Sequence, residues 1–359
     1  MDQGENATRG ELACGFRFLV PGFLWGFEPG EFWKFDFIPD LDIGILKEGA
    51  VFDTKFSDLM LLYGISPLHA GSGQGLGVVD NPIQRERHTD WPFVQASGVK
   101  GAFRDHFERS LWMKRFRGID PGDARGQVLA LSRKIFGKSL EDGADVEQAG
   151  AVAVSDARML LFPVRSSVAP FVWVVCPSVL NRFRRDAFLA GVSVPEVPAS
   201  PAEEEGAVLR NESGARIEGD LLLEDLAVTV SSGEGGSWKD WLAKNLPDCR
   251  KVLCVSDFVF TTLVRTATEI QAQIAIRFDT GTTKDGSLRY QELLPADSVL
   301  YVLTFFTGER IDGGNGLPPE AVMQHFREFL TGHVQIGGDW SLGRGICRIH
   351  RMNGEGGRS

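Results

Sequence analysis

The most informative segment of this chain reads HAGSGQGLGVVDNPIQRERH, residues 69–88. Four of its first nine residues are glycines, which leave backbone N–H groups open and allow another chain to approach closely. It is not the phosphate loop of nucleoside triphosphatases, because no Gly-Lys-Ser/Thr follows, and no G-x-G-x-x-G motif leads directly into a helix. Composition alone therefore indicates a flexible loop.

Regular elements are expected on both sides of this loop. Before it, the apolar run from Leu59 to Ile65 predicts a strand, which the following Ser-Pro pair ends. After it, Ser97 is placed to cap a helix with one apolar face, and Lys100 and Arg104 lie on a different stripe of that helix.

The remaining chain alternates between strand and helix patterns. In order, it predicts strands around 150–163 and 171–176, a helix from Asp257 with Phe258, Leu263 and Val264 facing inward, a hairpin at Asp285-Gly286, a strand over 298–306, a helix over 320–330, and a strand pair around Gly337–Gly345. The order strand, helix, strand, strand, helix, strand occurs about twice. It predicts an α+β fold of ferredoxin-like units.

The charge of the chain is unevenly distributed. The net charge of -10 over 359 residues argues against a uniformly basic nucleic-acid binder. Residues 81–117 nevertheless carry eight Lys/Arg against four Asp/Glu, whereas residues 201–240 carry ten Asp/Glu against three Lys/Arg. An anionic partner responds to such local patches within a Debye length of about 8 Å. Residues 194–240, with three prolines before the acidic run, are expected to form an exposed acidic insertion.

The cysteines and the apolar runs bear on the compartment. The five cysteines are scattered without the spacing of zinc ligand pairs, as expected in a reducing cytosol. No apolar run approaches the roughly 18 residues of a membrane span. The N-terminus does not read as a secretory signal, because acidic residues precede its apolar stretch and Arg17 and Pro21 interrupt it. We expect a cytoplasmic protein without a membrane partner.

Residues 1–56 differ from the rest of the chain. They hold eleven aromatic residues, separated by glycines and prolines. This composition is compatible with a docking arm whose rings bury against a neighbour, with extra strands on the same core, or with an over-long start of the reading frame. The three alternatives stay open, and the extension is treated as a separate region.

Several segments together resemble one protein family. They are VVDNPIQRERH (78–88), QASGVKGAFR (95–104), SDARMLLFPVRS (155–166), NRFRRD (181–186), GSLRYQE (286–292) and QIGGDWSLGRG (335–345). In this collinear order, over roughly residues 59–350, they resemble the repeating backbone subunit of type III-B CRISPR effector complexes, the Cmr complexes of the RAMP superfamily. The segment around VVD is specific to that subunit, and the closing glycine-rich segment is general to the superfamily.

The resemblance implies a fold and a set of partners. The fold is an RNA-recognition-like (RAMP) palm over 57–355 with inserted loops, which carries a flexible catalytic loop at 69–92 and a β-hairpin thumb at 272–293. Many copies stack along a crRNA, the target single-stranded RNA pairs with it, and each thumb pushes one base pair out of the duplex. The partners implied are crRNA, target RNA, further copies of the chain and other Cmr subunits of an antiviral ribonucleoprotein.

The resemblance also implies an endoribonuclease. Cleavage in the family needs a divalent cation, Mg²⁺ or Mn²⁺, and an aspartate that maps onto Asp80. Such an ion neutralises charge on the phosphate while the 2′-hydroxyl is aligned. His69 matches a family histidine, with a role in proton transfer or in positioning the loop. Glu292, after Tyr290, is a further catalytic candidate, although the family often carries paired acids there.

Three regions, two cationic and one glycine-lined, are candidates for contact with the RNA backbone. Lys100 matches a family lysine near a helix N-terminus, where phosphate is favoured, although an i,i+4 pair is also typical of a solvated face. The arginines of NRFRRD either grip phosphate or pair with the acidic insertion. The candidate RNA-binding residues are Ser97, Lys100, Arg104, Arg182, Arg184, Gly337, Gly338, Gly343, Arg344 and Gly345.

The sequence therefore leads to one hypothesis and two alternatives. The hypothesis is a crRNA-binding backbone subunit of a type III-B CRISPR complex that cleaves guide-paired target RNA at regular intervals, with base pairing supplying the specificity. The first alternative is a purely structural RNA-binding subunit of the same complex. The second is a stand-alone metabolic enzyme that uses the glycine-rich loop to bind a nucleotide.

Overall fold

The computed structural model divides the chain into two units, Met1–Ala50 and Val51–Ser359. The structure describes residues 19–20, 23–24 and 53–352, without 74, 76, 120, 139–147, 213–216, 232–234 and 311–314. In the first unit, the described residues form two short antiparallel strands, β1 (Leu19–Val20) and β2 (Phe23–Leu24). The rest of the aromatic-rich extension predicted up to residue 56 lies outside the described residues, apart from Asp53–Phe56, which fall in the second unit.

The second unit contains six helices and fourteen strands among its described residues. The helices are α1 (Ala96–Arg115), α2 (Pro121–Phe136), α3 (Pro177–Leu189), α4 (Gly236–Asn245), α5 (Asp257–Thr266) and α6 (Pro319–Phe329). The strands are β3 (Ser57–Gly64), β4 (Phe93–Val94), β5 (Val152–Val154), β6 (Ala157–Arg165), β7 (Phe171–Val175), β8 (Glu205–Asn211), β9 (Gly219–Leu223), β10 (Leu226–Ser231), β11 (Lys251–Val255), β12 (Glu269–Gln273), β13 (Arg289–Leu293), β14 (Val299–Phe306), β15 (His333–Gln335) and β16 (Ile346–Met352).

The first half of the large sheet has the ferredoxin-like arrangement. Its strand order is β16-β3-β14 followed by β5 and β6, with every neighbouring pair antiparallel. The connections β3–α1 and β14–α6 supply the two helices, which pack together through the Phe103–Phe326 and Phe107–Phe329 ring pairs. The predicted α+β, RNA-recognition-like fold is confirmed here, because apolar strands and one-sided helices specify it.

The second half of the sheet has a different order, β7-β11-β8-β10-β9, with parallel pairs β7–β11 and β8–β10. The last strand returns to the end of β6, because Ser167 N donates to Leu222 O at 3.1 Å and Glu224 N donates to Arg165 O at 3.0 Å. The prediction of a second ferredoxin-like unit is therefore wrong. The order of elements along a chain does not by itself fix which strands become neighbours.

Much of residues 194–240 belongs to this curled sheet. The segment supplies β8, β9, β10 and the start of α4, and its buried side chains include Val208, Leu221, Val228 and Val230. The acidic residues lie between these apolar positions and include the exposed Glu203–Glu205. The expectation of an exposed insertion is wrong for these strands, because alternating apolar residues anchor them while the carboxylates face water.

Several local predictions also change. The helix at Asp257 is capped by Ser256, whose side chain accepts from Val259 N, and Leu263 and Val264 are buried. Phe258, predicted to face inward, is 62% exposed. Helices α2, α3 and α4 were not predicted. None of the helices within the described residues combines the length and the apolar character that crossing a bilayer requires.

Candidate functional site

Three segments that are distant in sequence meet at strand β13. They are the glycine-rich loop (residues 69–92), the hairpin formed by β12 and β13 with the residues between them, and the C-terminal loop (residues 336–345). β12 and β13 pair antiparallel, from Glu269 with Leu293 to Gln273 with Arg289. This hairpin coincides with the predicted thumb, except that its first strand begins three residues earlier.

Asp80 is attached to β13 at the surface. Its Oδ2 atom accepts a hydrogen bond from Tyr290 N at 2.7 Å, and the side chain is exposed. The next residue follows the strand, because Asn81 N donates to Tyr290 O at 3.1 Å and Glu292 N donates to Asn81 O at 3.0 Å. The backbone of the hairpin therefore holds the Asp80 carboxylate where a ligand from solution can reach it.

Glu292 lies on the same strand but is buried. Its Oε1 atom accepts from Arg85 Nη2 at 2.6 Å and from Thr268 Oγ1 at 2.9 Å, and its Oε2 atom accepts from Ile83 N at 3.0 Å. The side chain is only 8% exposed. This geometry gives the predicted catalytic Glu292 a structural environment, since both carboxylate oxygens already serve donors of the protein.

His69 is oriented by the backbone of Glu292. Its Nδ1 atom lies 2.8 Å from Glu292 O, and a carbonyl oxygen can only accept. The neutral ring therefore carries its proton on Nδ1 and keeps a lone pair on Nε2. The structure therefore brings the three predicted catalytic residues together at β13. Glu292 is a buried residue of the strand, and Asp80 and His69 are hydrogen-bonded to its backbone at Tyr290 and Glu292.

The C-terminal loop closes against the same residues. Gly338 N donates to His69 O at 2.8 Å, and Gly345 N donates to Pro67 O at 2.9 Å. Gly337 has a φ of +84°, and a Cβ atom there would collide with the His69 carbonyl oxygen. Glycine at position 337 is therefore required for this close approach.

The predicted RNA contact Arg344 is occupied within the protein. Its Nη1 atom donates to Gln291 Oε1 at 2.9 Å and its Nη2 atom to Gln271 Oε1 at 2.7 Å, and the side chain is 12% exposed. Gln291 also donates to Asp339 Oδ2 at 2.7 Å. Arg344 thus joins the C-terminal loop to the hairpin, and both of its Nη atoms donate to acceptors of the protein.

The described residues could hold a divalent ion only if the RNA supplied part of its ligands. Within the described parts of the chain, no group of three or more His, Cys, Asp and Glu side chains is arranged to hold a metal. Asp80 is the exposed carboxylate of the three predicted catalytic residues. Hydrated Mg²⁺ is commonly held by one or two carboxylates together with substrate phosphates. The site therefore fits an ion to which RNA contributes ligands, and it does not fit an all-protein cage.

The two cations of α1 have different environments. Arg104 donates to Glu108 Oε1 and to Ser132 Oγ, each at 3.2 Å, and also to Gly137 O. The side chain of Lys100 is half-buried, and its ammonium group makes no hydrogen bond or ion pair with the described residues. Burial, with the charge of Arg104 adding to it, lowers the pKa of Lys100 below its usual value. Lys100 is therefore the cation of this pair that remains available for a phosphate.

The start of α1 also differs from its prediction. The helix begins at Ala96 with Gln95 as its N-cap residue, so Ser97 lies in the first turn and is exposed. The N–H group of Ala96 is satisfied by Asp156 Oδ1 at 2.8 Å. A carboxylate from the segment before β6 thus replaces the predicted serine cap.

The arginines of α3 pair with carboxylates other than those of the acidic run after residue 201. Arg182 donates to Glu86 Oε1 at 2.6 Å and stacks over Trp91, with its guanidinium carbon 5.1 Å from the ring centroid. Arg184 pairs with Glu196. Arg182 is 18% exposed and Arg184 is 43% exposed. These pairs favour structural roles over the predicted grip on phosphate.

Comparisons with known proteins give this arrangement a family. The sequence pattern of the RAMP superfamily matches residues 61–348. The CRISPR system Cmr endoribonuclease Cmr4 of Pyrococcus furiosus is 33% identical over 307 residues, which cover 81% of this chain and 94% of that protein. The chain belongs to the Cmr4 family of the RAMP superfamily. The resemblance seen in its sequence motifs is thereby confirmed.

Solved structures of the RAMP superfamily agree in fold. The crystal structure of oligomeric Cmr4 from Pyrococcus furiosus is 25% identical, with a TM-score of 0.58, and covers 83% of this chain and 98% of its own. The cryo-EM structure of the type III-B Cmr-beta bound to cognate target RNA is 16% identical, with a TM-score of 0.61, and covers 84% of this chain and 98% of the matched chain. The second likeness establishes the fold alone.

Proposed function

We propose that this RAMP protein is a crRNA-binding backbone subunit of a type III-B CRISPR complex and that it cleaves target RNA paired with the guide. Copies of the chain, crRNA, target RNA and other Cmr subunits are its proposed partners. The observation that carries the proposal is the attachment of Asp80 to the hairpin in a member of the Cmr4 family. A stand-alone nucleotide-binding enzyme has no support from this family.

The residues at β13 can serve the cleavage of an RNA phosphodiester. The exposed Asp80 carboxylate, fixed by Tyr290 N, can accept a hydrogen bond from the attacking 2′-hydroxyl and orient it toward the scissile phosphate. The Nε2 lone pair of His69 can accept a proton, because the Glu292 carbonyl fixes the opposite side of the ring. A base pushed out of the duplex leaves its sugar free to reach the in-line geometry.

Metal dependence is part of the same proposal. A bound divalent ion would neutralise charge on the phosphate oxygens. Asp80 would hold it, together with ligands from the RNA. The support is the exposure of this carboxylate, in contrast to the buried Glu292.

Guide binding is proposed mainly at Lys100. Its ammonium group lies on the first turns of α1, and helix N-termini favour phosphate groups. The exposed glycines Gly337, Gly338 and Gly343 of the C-terminal loop let a sugar-phosphate strand approach the backbone. The acidic net charge does not oppose this binding, since repeated local patches form the groove when copies stack.

One specific observation favours a second candidate, a structural subunit without cleavage. The family often has paired acids after the hairpin turn, whereas this chain has Gln291 and a buried, fully hydrogen-bonded Glu292. Without a catalytic acid at position 291 or 292, only Asp80 and His69 of the predicted residues would remain for cleavage. The Asp80→Ala variant described below distinguishes a cleaving subunit from a purely structural one.

A cytoplasmic location is also proposed. The four cysteines in the described part of the chain, Cys176, Cys249, Cys254 and Cys347, are free thiols and buried. Burial raises the pKa of the Cys347 thiol to about 12. Buried unpaired thiols suit a reducing compartment.

The test uses the assembled complex. We expect a purified assembly with an absorbance ratio at 260 and 280 nm that reveals bound RNA, and cleavage of a guide-matched target at regular intervals. Asp80→Ala is expected to abolish cleavage while target binding persists, and Asp240→Ala, an exposed aspartate of α4, serves as the matched control. Unchanged cleavage by Asp80→Ala would leave only the structural role, and an assembly free of RNA would reject the whole proposal.

A further inference from the structure

We propose that the buried Arg85–Glu292 ion pair sets the position of Asp80 relative to the hairpin, so that Glu292 is a positioning residue and not a catalytic carboxylate. The inference rests on the proposed function, because it concerns the cleavage step. It gives a role to Arg85, which the sequence motifs include without assigning one.

The surroundings of Glu292 carry the first step. Three donors from two parts of the chain reach its two oxygens: Arg85 and Ile83 of the glycine-rich loop, and Thr268 immediately before β12. A carboxylate engaged in this way is stabilised where it lies and is shielded from a ligand in solution. The Glu292 carboxylate therefore holds the glycine-rich loop against the hairpin.

Arg85 extends the connection to a third element. Its Nη1 atom donates to Asp90 O at 2.9 Å, within the same loop, and to Val264 O at 3.0 Å, in the last turn of α5. The guanidinium group thus links the loop, the end of α5 and β13. The planar, multiply donating guanidinium suits this task, whereas a lysine offers a single point charge.

The pair lies beside the attachment point of Asp80. Residues 80–82 follow β13 through the backbone bonds of Asn81, and Ile83 N is the next donor along the loop. The carbonyl of Glu292 also fixes His69. Loss of the pair would release residues 83–85 and let Asp80 shift, and a shift of about 1 Å can lower a reaction rate by about 10²-fold.

A double substitution distinguishes positioning from catalysis. Breaking a buried pair leaves an uncompensated charge, whereas replacing both partners by apolar residues is often tolerated. We expect Arg85→Met and Glu292→Met each to slow single-turnover target cleavage by the complex about tenfold or more, and the double variant to recover a large part of that loss. A double variant as inactive as Glu292→Met would overturn the proposal, because a catalytic carboxylate cannot be replaced by removing its partner.

The pH profile gives an independent readout. Glu292→Gln keeps the shape of the side chain and an oxygen for Arg85, but it places an amide donor opposite Ile83 N. We expect a lower maximal rate with the wild-type shape of the pH–rate profile and unchanged target binding. Loss of one limb of the profile would mean that Glu292 itself exchanges a proton in the reaction, against the proposal.

Two further variants keep the result interpretable. Thr268→Val removes one hydrogen bond without leaving a charge unpaired, so a reduced rate is expected even where the methionine variants do not fold. Arg327→Met removes one of the two arginines that pair with the buried Asp58, at the opposite end of β3 from the site, and should lower stability while cleavage per assembled complex stays unchanged. Wild-type rates in Thr268→Val and in both single methionine variants would refute the positioning role alone, whereas no cleavage by the wild-type complex would refute the proposed function.

Discussion

The two parts of the glycine-rich loop differ in how they are held. Residues 71–80 are largely exposed where the structure describes them, with Val78 91% exposed and Asp80 bound through one hydrogen bond to the hairpin backbone. Residues 81–92 are anchored by the Arg85–Glu292 pair and by the buried Ile83 and Trp91. Residues 71–80 are therefore accessible to RNA, whereas residues 81–92 fix the position of residues 71–80 relative to the hairpin.

The same contrast occurs on α1. Arg104 is engaged by four partners of the protein, whereas the side chain of Lys100 has none among the described residues. A cation already saturated with acceptors contributes to stability, and an unsaturated one can bind phosphate. Two candidate residues that look equivalent in the sequence therefore have different roles, and the hydrogen bonds of their side chains distinguish them.

Metal removal is expected to give the largest effect and tests the exposed part of the loop. With a chelator, target cleavage by the assembled complex should fall about 10³-fold, because charge on the phosphate is no longer neutralised. Guide binding should persist, because Lys100 and the glycine backbone do not depend on the ion. Cleavage that is insensitive to the chelator, measured on the same labelled target, would contradict the metal part of the proposal.

His69 should give the next effect. His69→Ala removes the Nε2 lone pair and is expected to lower the cleavage rate about 10²-fold, with target binding unchanged. His88→Ala, which removes a 74% exposed histidine on the anchored part of the loop, is the matched control. A wild-type rate in His69→Ala would contradict a role of the Nε2 atom in proton transfer.

The smallest effect should appear at α1. Lys100→Ala is expected to reduce the salt slope of RNA binding by about one, whereas Arg104→Ala should leave the slope unchanged and destabilise the fold by about 1–3 kcal/mol. Burial lowers the pKa of Lys100, so this side chain loses its positive charge at a lower pH than an exposed lysine does. As the pH is raised, its contribution to RNA binding should therefore be lost earlier. Equal slopes in the two variants would remove the distinction between them.

The sequence predicted the elements with simple periodicity. β3, α1, β14 and α6 lie close to the predicted positions, because continuous apolar runs and one-sided helices leave a clear signal. The curled second half of the sheet was missed, since the order of elements along the chain does not reveal the parallel pairs β7–β11 and β8–β10. An acidic composition concealed the buried positions of β8 to β10.

The candidate site was only partly predictable. Family motifs led to Asp80, His69 and Glu292, and the structure brings them together along β13. The pairing of Arg85 with Glu292 spans 207 positions, and that of Gln291 with Asp339 spans 48, so neither follows from local patterns. A single sequence identifies candidate polar residues, but it does not reveal which of them already have a partner inside the protein.

We expect each copy of the chain to cut the target through its own exposed Asp80. This expectation is tested most directly by assembling complexes from mixtures of wild-type and Asp80→Ala chains and mapping cuts on an end-labelled target. We expect all of the evenly spaced cuts to weaken in proportion to the fraction of variant chains, while the amount of bound target stays constant. A full set of cuts at wild-type intensity from complexes made only of Asp80→Ala chains would contradict it.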